Sequence, residues 1–263
     1  MKLLTINATY SGGGPGNTTE FIHEELLRTN NESVVICALS RKKSDFVHVL
    51  YNKFEINVIK ALAKIHIKAN PFKYLKTRKI KKIVLLFKPD AIHIRVIHHH
   101  FFEYEKLFRF LKSLNIPVFF TLHDMWLYSG GCYHFIECKC NGFMNACVSC
   151  PRTFNKLDKE KKNPHEEFVS KKNYVLDIKS IHLIGVSKWS LQYLNYSYLH
   201  GCDSHLIYNA VDTTLASDPI SPKSDTNKKI IIGSANTWSE QKGIFDFIKL
   251  SKMLPENYYI YLI

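Results

Sequence analysis

Apolar and polar positions along the chain alternate in blocks rather than residue by residue. Each short apolar run is followed by a longer segment whose hydrophobic residues recur at helical spacing. Apolar runs of this kind predict strands buried on both faces, and strands that alternate with helices predict a parallel sheet covered by helices. The sequence therefore predicts an α/β fold. The runs are KLLTINA at 2–8, SVVICALS at 33–40, AIHIRVI at 91–97, PVFFTLH at 117–123, IHLIGVS at 181–187 and SHLIYNAV at 204–211.

A glycine-rich loop, SGGGPG at 11–16, separates the first predicted strand from the first predicted helix. That helix is expected from about Thr18 to Arg28, with Asn17 and Glu20 as the N-cap and N3 residues of a capping box. Glycines let a ligand approach the backbone closely, and the N–H groups at a helix start attract anions. The loop matches neither the dinucleotide fingerprint nor a P-loop, so a plain tight turn is the alternative. The glycines concerned are Gly12, Gly13 and Gly14.

A strongly basic segment follows the second strand. It runs from Lys53 to Lys82 and holds ten Lys or Arg residues but one acidic residue. Residues 55 to about 69 are predicted to be helical, with Lys60, Lys64 and Lys68 on one face, and a second basic helix is expected between Pro71 and Pro89. Such a segment suits nucleic acid, an anionic membrane or a phosphate-bearing substrate, and the alternative is a solvated helix face.

The pattern restarts after a polar stretch. Residues 216–228 are polar and carry two prolines, which predicts a linker after a first domain at 1–215. Residues 229–263 then give one more strand, helix and strand, and the chain ends inside the last apolar run. One such unit cannot cover both faces of its own sheet. We therefore expect a second domain that is cut short.

Composition narrows the class of protein. The chain of 263 residues is 46% hydrophobic, which excludes a disordered protein. The net charge of the chain is +13. No apolar run is long enough for a signal peptide or a membrane span, so a cytoplasmic location is expected. Thiols are reduced in that compartment, which favours metal binding over disulfides for clustered cysteines.

Five of the seven cysteines lie in a segment at 130–151 that interrupts the strand–helix alternation. Cys147 and Cys150 have the C-x2-C spacing that lets two thiolates hold one tetrahedral ion, and Cys132 with Cys138 or Cys140 can supply the other two ligands. A site with four thiolates is closed and structural. The alternatives are thiols without metal and disulfides.

Histidines follow two consecutive predicted strands. His98, with His99 and His100, follows the run at 91–97, and His123 with Asp124 ends the run at 117–123. The carboxyl ends of parallel strands meet at one edge of the sheet, where open α/β sheets bind ligands. Imidazoles at that edge can position hydroxyl groups or transfer protons, and each of them could equally be a structural histidine.

The motifs together resemble the family 4 (GT4) glycosyltransferases of the colanic-acid and capsule type. The resemblance covers nearly the whole chain, and its motifs occur in order at fitting intervals. They are PDAIH at 89–93 with His98, TLHDMW at 121–126, GGC at 130–132, the spacing Cys132-x7-Cys140-x6-Cys147-x2-Cys150, VSKW at 186–189, YNAVD at 208–212 and WSEQKG at 238–243.

The resemblance implies a GT-B fold, with two Rossmann-like domains and the active site between them. It implies transfer of a sugar from a nucleotide-sugar to a glycan or lipid-linked acceptor, with retained anomeric configuration and no catalytic metal. His123 is then expected to contact the transferred sugar near the developing positive charge, with Asp124 orienting its loop. The donor or acceptor phosphate region is expected near the glycine loop, and His98 is expected to bind the substrate or donor. Lys242 is expected to neutralise the leaving diphosphate.

The family spacing also selects Cys132, Cys140, Cys147 and Cys150 as the zinc ligands, which leaves Cys138 as the spare. Two departures from the family pattern bear on the second domain. Thr237 stands where the family has an Arg, and the family's pair of Glu residues lies beyond residue 263. This chain alone is therefore expected to be inactive. Lipid-linked acceptors would place it at the inner face of the plasma membrane, with the basic helices toward anionic lipid.

Two other classes of protein fit parts of the sequence. One is a basic nucleic-acid-binding protein in which the cysteine segment is a zinc module. The regular strand–helix alternation and the few basic residues of the cysteine segment, Lys139 and Arg152, argue against it, so no nucleic-acid partner is expected. The other class is a non-catalytic remnant of a transferase.

Overall fold

The structure is a computed structural model of the 263-residue chain. It describes residues 1–65, 70–98, 101–134, 140–150, 163–211, 227–235 and 237–263. The chain divides into two compact units, Met1–Val211 and Asp212–Ile263, called unit 1 and unit 2 below. The predicted linker at 216–228 lies outside the described residues except for 227 and 228.

Unit 1 is built on a sheet in which the described residues form seven strands. Every neighbouring pair of strands is parallel, so the predicted α/β class with a parallel sheet is confirmed. In chain order the strands are β1 (Lys2–Tyr10), β2 (Glu32–Ser40), β3 (Val47–Val49), β4 (Ala91–Ile94), β5 (Val118–Leu122), β6 (Ile181–Gly185) and β7 (Asp203–Leu206).

The order of the strands across the sheet creates a place for a ligand. The order is β3-β2-β1-β4-β5-β6-β7, so the chain builds outward from β1 in one direction and then returns to β4 and builds outward in the other. Loops that leave β1 and β4 diverge at this switch point, which opens a crevice outside the carboxyl ends of the strands. The edge strand β3 was not predicted, because three residues are too few to give a pattern.

Helices connect the strands of unit 1. They are α1 (Gly13–Arg28), α2 (Lys53–Lys64), α3 (Lys73–Phe87), α4 (Tyr104–Lys112), α5 (Pro164–Leu176) and α6 (Lys188–Asn195), with short 3-10 turns at Trp126–Tyr128 and Gly142–Asn145. The core lies between the sheet and these helices, and the central strands contribute fully buried side chains such as Ile6, Ile36 and Ile92.

The predicted start of the first helix is wrong. Helix α1 begins at Gly13, with Gly12 as an N-cap that makes no side-chain hydrogen bond, so Asn17 lies inside the helix and caps nothing. Pro15 explains the earlier start, because a proline in the first turn loses no intrahelical hydrogen bond and its φ suits a helix. Glu20, assigned to the same capping box, instead pairs with Lys42.

Both predicted basic helices form, but α2 ends at Lys64 with Ile65 as its C-cap, short of the predicted end near residue 69. Helix α2 starts with a capping box of its own, in which the Asn52 side chain accepts from the Glu55 N–H at 2.9 Å and the Glu55 carboxylate accepts from the Asn52 N–H at 3.0 Å. Lys60 and Lys64 are exposed on it. Lys68 lies outside the described residues.

Unit 2 is a small βαβ element. Its parallel strands β8 (Lys229–Gly233) and β9 (Tyr258–Leu262) are connected through a 3-10 turn at Glu240–Lys242 and helix α7 (Ile244–Ser251). In the described parts of both units, no helix combines the length and the apolar character that crossing a membrane requires.

Candidate functional site

The loop between β1 and α1 presents backbone to open space at the switch point. Gly12 and Gly13 have φ angles of 154° and 66°, in the region that favours glycine, and they turn the chain into the helix. A Cβ atom on Gly13 or Gly14 would meet no atom within 4 Å. Because the first N–H groups of a helix have no intrahelical partner, they can bind an anion that approaches through this space.

Asn7 ties this loop to the end of β4. Its buried amide Nδ2 donates to the carbonyl oxygens of Thr9 and Pro15 at 2.8 and 3.1 Å and to Thr19 Oγ1 at 2.9 Å. Its Oδ1 accepts from the Val96 N–H at 3.0 Å. One side chain therefore fixes the glycine loop, the start of α1 and the residues after β4 relative to one another. Asn7 was not predicted as a site residue, although a polar residue inside an apolar run is a signal that could have identified it.

Arg95 and His123 meet at the carboxyl ends of β4 and β5. Arg95 is 4% exposed, and its Nη2 donates to Thr18 Oγ1 and lies 2.9 Å from His123 Nε2. A guanidinium can only donate, so His123 Nε2 is the acceptor and the ring proton is on Nδ1. Burial, and then the charge of Arg95, lowers the pKa of His123 to about 4. His123 is therefore neutral at neutral pH.

No carboxylate within the described residues balances the charge of Arg95. No ion pair within the described residues includes Arg95, and its Nε has no hydrogen-bond acceptor among them. Burial lowers the pKa of Arg95 to about 10, so it stays charged at neutral pH. A buried unpaired charge is costly, and a guanidinium next to free backbone N–H groups is suited to a phosphate. Arg95 was also missed, although its position in the apolar run at 91–97 is unusual.

His98 and Asp124 form a second pair at the same edge. His98 Nε2 lies 2.6 Å from Asp124 Oδ2, and Asp124 Oδ1 accepts from the Trp126 N–H at 2.9 Å. Burial acts to raise the pKa of Asp124, but the hydrogen bond and charge of His98 and the Trp126 N–H outweigh it and lower this pKa overall. Asp124 is therefore an ionised residue that uses both of its oxygens to hold the loop after β5.

The expected meeting of His98 with the residues after β5 is thus observed, in a pocket lined by Arg95, His98, His123 and Asp124. His99 and His100 lie outside the described residues. His93, the strand-end histidine of the PDAIH motif, is buried within β4, and its Nε2 lies 2.7 Å from Thr121 Oγ1. Burial, with smaller effects of the charges on Arg95 and His123, lowers its pKa to about 3.

The cysteine segment is anchored to the core of unit 1. Phe143, on the 3-10 turn at Gly142–Asn145, is 2% exposed and packs edge-on against Tyr128. Cys147 Sγ accepts from the Gly130 N–H at 3.1 Å, and Cys140 Sγ accepts from the Gly142 N–H at 3.2 Å. Backbone donors of this kind favour thiolates over thiols.

The four predicted zinc ligands fit zinc in chemistry and only in part in spacing. Burial, and then the nearby thiols of Cys132 and Cys140, raises the pKa of Cys147 to about 11, although the Gly130 N–H acts to lower it. In the described parts of the chain, however, no three cysteine Sγ atoms lie within 4.8 Å of one another. Around a tetrahedral ion with Zn–S bonds of about 2.3 Å they would be closer, so the segment would contract on binding. Cys138 lies outside the described residues.

Lys242 belongs to unit 2. It ends the 3-10 turn that leads into α7, its side chain is exposed, and its N–H donates to the Ser239 carbonyl at 3.0 Å. Gly243 follows with a φ of 74° and starts the helix. Lys242 therefore sits at a strand-to-helix loop of its own unit, a position equivalent to that of the glycine loop in unit 1.

Comparison with known families identifies a match to Glycosyltransferase Family 4 over residues 12–215. The match includes residues 12–16 of the glycine loop, the pairs Arg95–His123 and His98–Asp124, and the cysteine segment at 130–151. A search of the curated proteins finds no match.

Two solved glycosyltransferase structures are similar to this chain. The chain is similar to a glycosyltransferase from Rickettsia africae ESF-5, with 16% identity and a TM-score of 0.51 over 99% of this chain and 60% of that one. It is also similar to HepE from Anabaena in complex with UDP and glucose, with 15% identity and a TM-score of 0.47 over 100% and 60%. The chain thus spans about 60% of the length of these two proteins. The likeness to the first protein supports a Rossmann-like, GT-B type fold for unit 1.

Proposed function

This chain belongs to glycosyltransferase family 4, and on that premise we propose that it acts in transfer of a sugar from a nucleotide-sugar donor to an acceptor, with retention of anomeric configuration. The acceptor is a glycan or a lipid-linked saccharide of surface-polysaccharide synthesis. No catalytic cofactor takes part in this proposal.

One observation carries it: a buried guanidinium, which has no carboxylate partner among the described residues, touches a neutral imidazole at the carboxyl edge of the sheet. Arg95 supplies positive charge for a phosphate, while His123 supplies a hydrogen-bond donor without charge. A sugar that leaves a diphosphate develops positive charge at its anomeric carbon and negative charge on the leaving group. A neutral His123 can contact the sugar without repelling that positive charge.

Each site residue has a distinct role in this proposal. His123 donates from Nδ1 to a hydroxyl of the transferred sugar. Asp124 orients the His123 loop and is not a nucleophile, because His98 and the Trp126 N–H already occupy its two oxygens. Arg95 and the backbone of the glycine loop hold a diphosphate, which belongs either to the donor nucleotide or to a lipid-linked acceptor. Lys242 neutralises the leaving diphosphate.

The cysteine segment has a structural role in the proposal, with one zinc ion held by Cys132, Cys140, Cys147 and Cys150. The segment follows directly on the loop that carries His123, and Phe143 anchors it in the core. Metal binding would therefore rigidify the support of the candidate site rather than enter the chemistry.

Association with an anionic membrane is part of the same proposal. Helices α2 and α3 expose basic side chains, including Lys60, Lys64 and Lys82, together with large apolar ones such as Phe54 and Leu86, which are 71% and 73% exposed. Basic and apolar side chains in combination are typical of helices that lie on a membrane surface. This location would bring the protein to lipid-linked acceptors.

Calorimetric titration can test the diphosphate site and identify its source. One arm uses UDP and GDP, a second uses a short prenyl diphosphate, and uridine and guanosine are controls without phosphate. Binding of either diphosphate, weakened at least about tenfold by Arg95→Met and unchanged by Arg28→Met, supports the proposal. The exposed Arg28 pairs with Glu25 at the far end of α1 and is the matched control. Equal affinity of Arg95→Met and the wild type for every diphosphate would refute the assignment of Arg95.

A further inference from the structure

Three potential metal ligands converge at the opposite end of the sheet from the candidate site. His182 Nδ1 lies 2.7 Å from Asp203 Oδ2, and His205 Nε2 lies 3.0 Å from the same oxygen. The ligand atoms of the three residues all lie within 4.8 Å of one another, the one such group of three His, Cys, Asp or Glu side chains among the described residues. We propose that His182, Asp203 and His205 form a surface binding site for a divalent transition-metal ion such as Zn²⁺.

Strand register brings the three residues together. Strand β6 pairs with β7 so that His182 is opposite Asp203 and Ile184 is opposite His205. Side chains two apart on a strand point to the same face, so 182, 203 and 205 share one face of the sheet. His182 opens β6 while His123 follows the end of β5, which places the two sites at opposite ends of parallel strands.

The contacts of His182 with Ser180 and Phe119 suit a metal ligand. Its other ring nitrogen, Nε2, lies 3.2 Å from Ser180 Oγ, and its ring stacks on Phe119 with centroids 4.8 Å apart. When Nδ1 binds a metal, the ring proton of the neutral imidazole is on Nε2. The Nε2–H then donates a hydrogen bond to Ser180 Oγ, and the ring loses no proton. Hydrogen bonding of the remote nitrogen is the usual arrangement for a metal-bound histidine.

Spacing and donor type select the ion. Tetrahedral Zn²⁺ with bonds of about 2.0–2.2 Å separates its ligand atoms by roughly 3.3 Å, so the observed 2.7 and 3.0 Å need only a small widening. Two imidazoles and one carboxylate favour Zn²⁺ or its neighbours in the transition series over Mg²⁺ and Ca²⁺, which prefer oxygen ligands. All three side chains are partly exposed, so an ion and a water ligand can reach the site.

Metal binding at this site would stabilise the edge strand β7. Among the described residues β7 pairs with β6 alone, and all four residues of β7 are exposed. It is the last strand of unit 1 before the chain continues to unit 2. An ion held by His182 on β6 and by two residues of β7 links the strands through side chains. Because the ion would bind the folded state, it would raise the melting temperature of unit 1.

Calorimetric titration of Zn²⁺ into chelator-treated protein tests the proposal in the background of Cys147→Ser, which removes one thiol from the cysteine segment. The expected result is one saturable event that Mg²⁺ does not reproduce. Asp203→Asn and His205→Gln should each weaken it at least about tenfold, and Ser180→Ala should weaken it roughly tenfold, since loss of second-shell partners costs about 10–100-fold in affinity.

The control is His200→Gln, which replaces an exposed histidine outside the group and should leave the affinity unchanged. Circular dichroism of each variant checks that β7 still forms, which the exposed positions of the side chains favour. The proposal is overturned if Zn²⁺ binds the Asp203→Asn and His205→Gln variants as tightly as their parent, or if the parent takes up no Zn²⁺.

Discussion

Arg95 Nη2 lies 2.9 Å from His123 Nε2, and this contact fixes the tautomer of the neutral histidine. An imidazolium would have no acceptor nitrogen to offer and would face a second buried cation. Burial, and then the charge of Arg95, keeps His123 neutral by lowering its pKa, and the contact leaves its donor on Nδ1.

Removal of Arg95 should raise the pKa of His123. We expect Arg95→Met to move this pKa from about 4 toward the ordinary value of 6.5 without reaching it, because burial is the larger cause of the depression and remains. A pH titration of the His123 ring signals by NMR measures the shift. Arg28→Met should leave those signals unchanged, and an unshifted His123 in Arg95→Met would show that the charge of Arg95 does not act on the ring.

Two histidines should make the free energy of unfolding fall on acidification. Burial lowers the pKa of His93 to about 3 and that of His123 to about 4, against 6.5 in the unfolded chain. The unfolded state therefore binds more protons between these values. The stability that the neutral forms contribute is fully present above about pH 6.5 and is lost as pH falls toward 3 to 4.

Thermal melting between pH 7 and pH 4 measures this dependence. In His93→Gln the decline of the melting temperature should be shallower than in the wild type, because one of the proton-linked groups is absent. His200→Gln replaces an exposed histidine and should not alter the slope. An identical slope in His93→Gln and the wild type would contradict the assignment.

The glycine loop offers a test that separates binding from folding. A Cβ atom at Gly14 meets open space, so Gly14→Ala should keep the melting temperature and weaken diphosphate binding at least about tenfold, since it displaces a ligand by roughly 1 Å. Gly201→Ala, equally free of contacts, is the control and should change neither property. Unaltered affinity in Gly14→Ala would mean that no ligand approaches this backbone.

Gly16 in the same loop should behave in the opposite way. A Cβ atom there would lie 2.7 Å from Thr9 Oγ1, whose hydroxyl donates to the Gly12 carbonyl. Gly16→Ala should therefore destabilise the fold by about 1–3 kcal/mol, the usual cost of overpacking. Chemical denaturation measures it, and a wild-type free energy of unfolding would show that the loop relaxes without cost.

Metal analysis tests the cysteine segment. The purified protein should retain about one equivalent of tightly bound zinc, which Cys147→Ser loses and Cys138→Ser keeps. Dialysis against a weak chelator beforehand removes any ion from the more exposed group at His182. Full zinc content in Cys147→Ser would exclude Cys147 as a ligand.

Liposome flotation tests the basic helices. Each Lys near an anionic surface contributes roughly 1 kcal/mol, so the triple variant Lys60→Glu, Lys64→Glu, Lys82→Glu should lose nearly all binding to vesicles with acidic lipid. A triple reversal of the exposed Lys172, Lys179 and Lys188 is the control. Equal binding of the wild-type protein to neutral vesicles would contradict an electrostatic association.

The sequence alone determined the parallel sheet and the edge at which the site lies. Uninterrupted apolar runs such as the one at 117–123 are typical of strands buried on both faces, and the carboxyl ends of parallel strands lie at one edge of the sheet. His98 and Asp124 were therefore predicted at one edge before their contact was known. The start of α1 was predicted wrongly, because Asn17 offers a capping signal that Pro15 and the glycines override.

Only the tertiary structure decided which side chains touch across the sheet. Arg95 and His123 are far apart in sequence, as are His182 and Asp203, and each pair meets because neighbouring strands adopt one register. A shift of register by one residue would turn every side chain of a strand to the other face. Register depends on packing of the whole core, so no local pattern of residues reveals that Arg95 contacts His123 or that three potential metal ligands share one face.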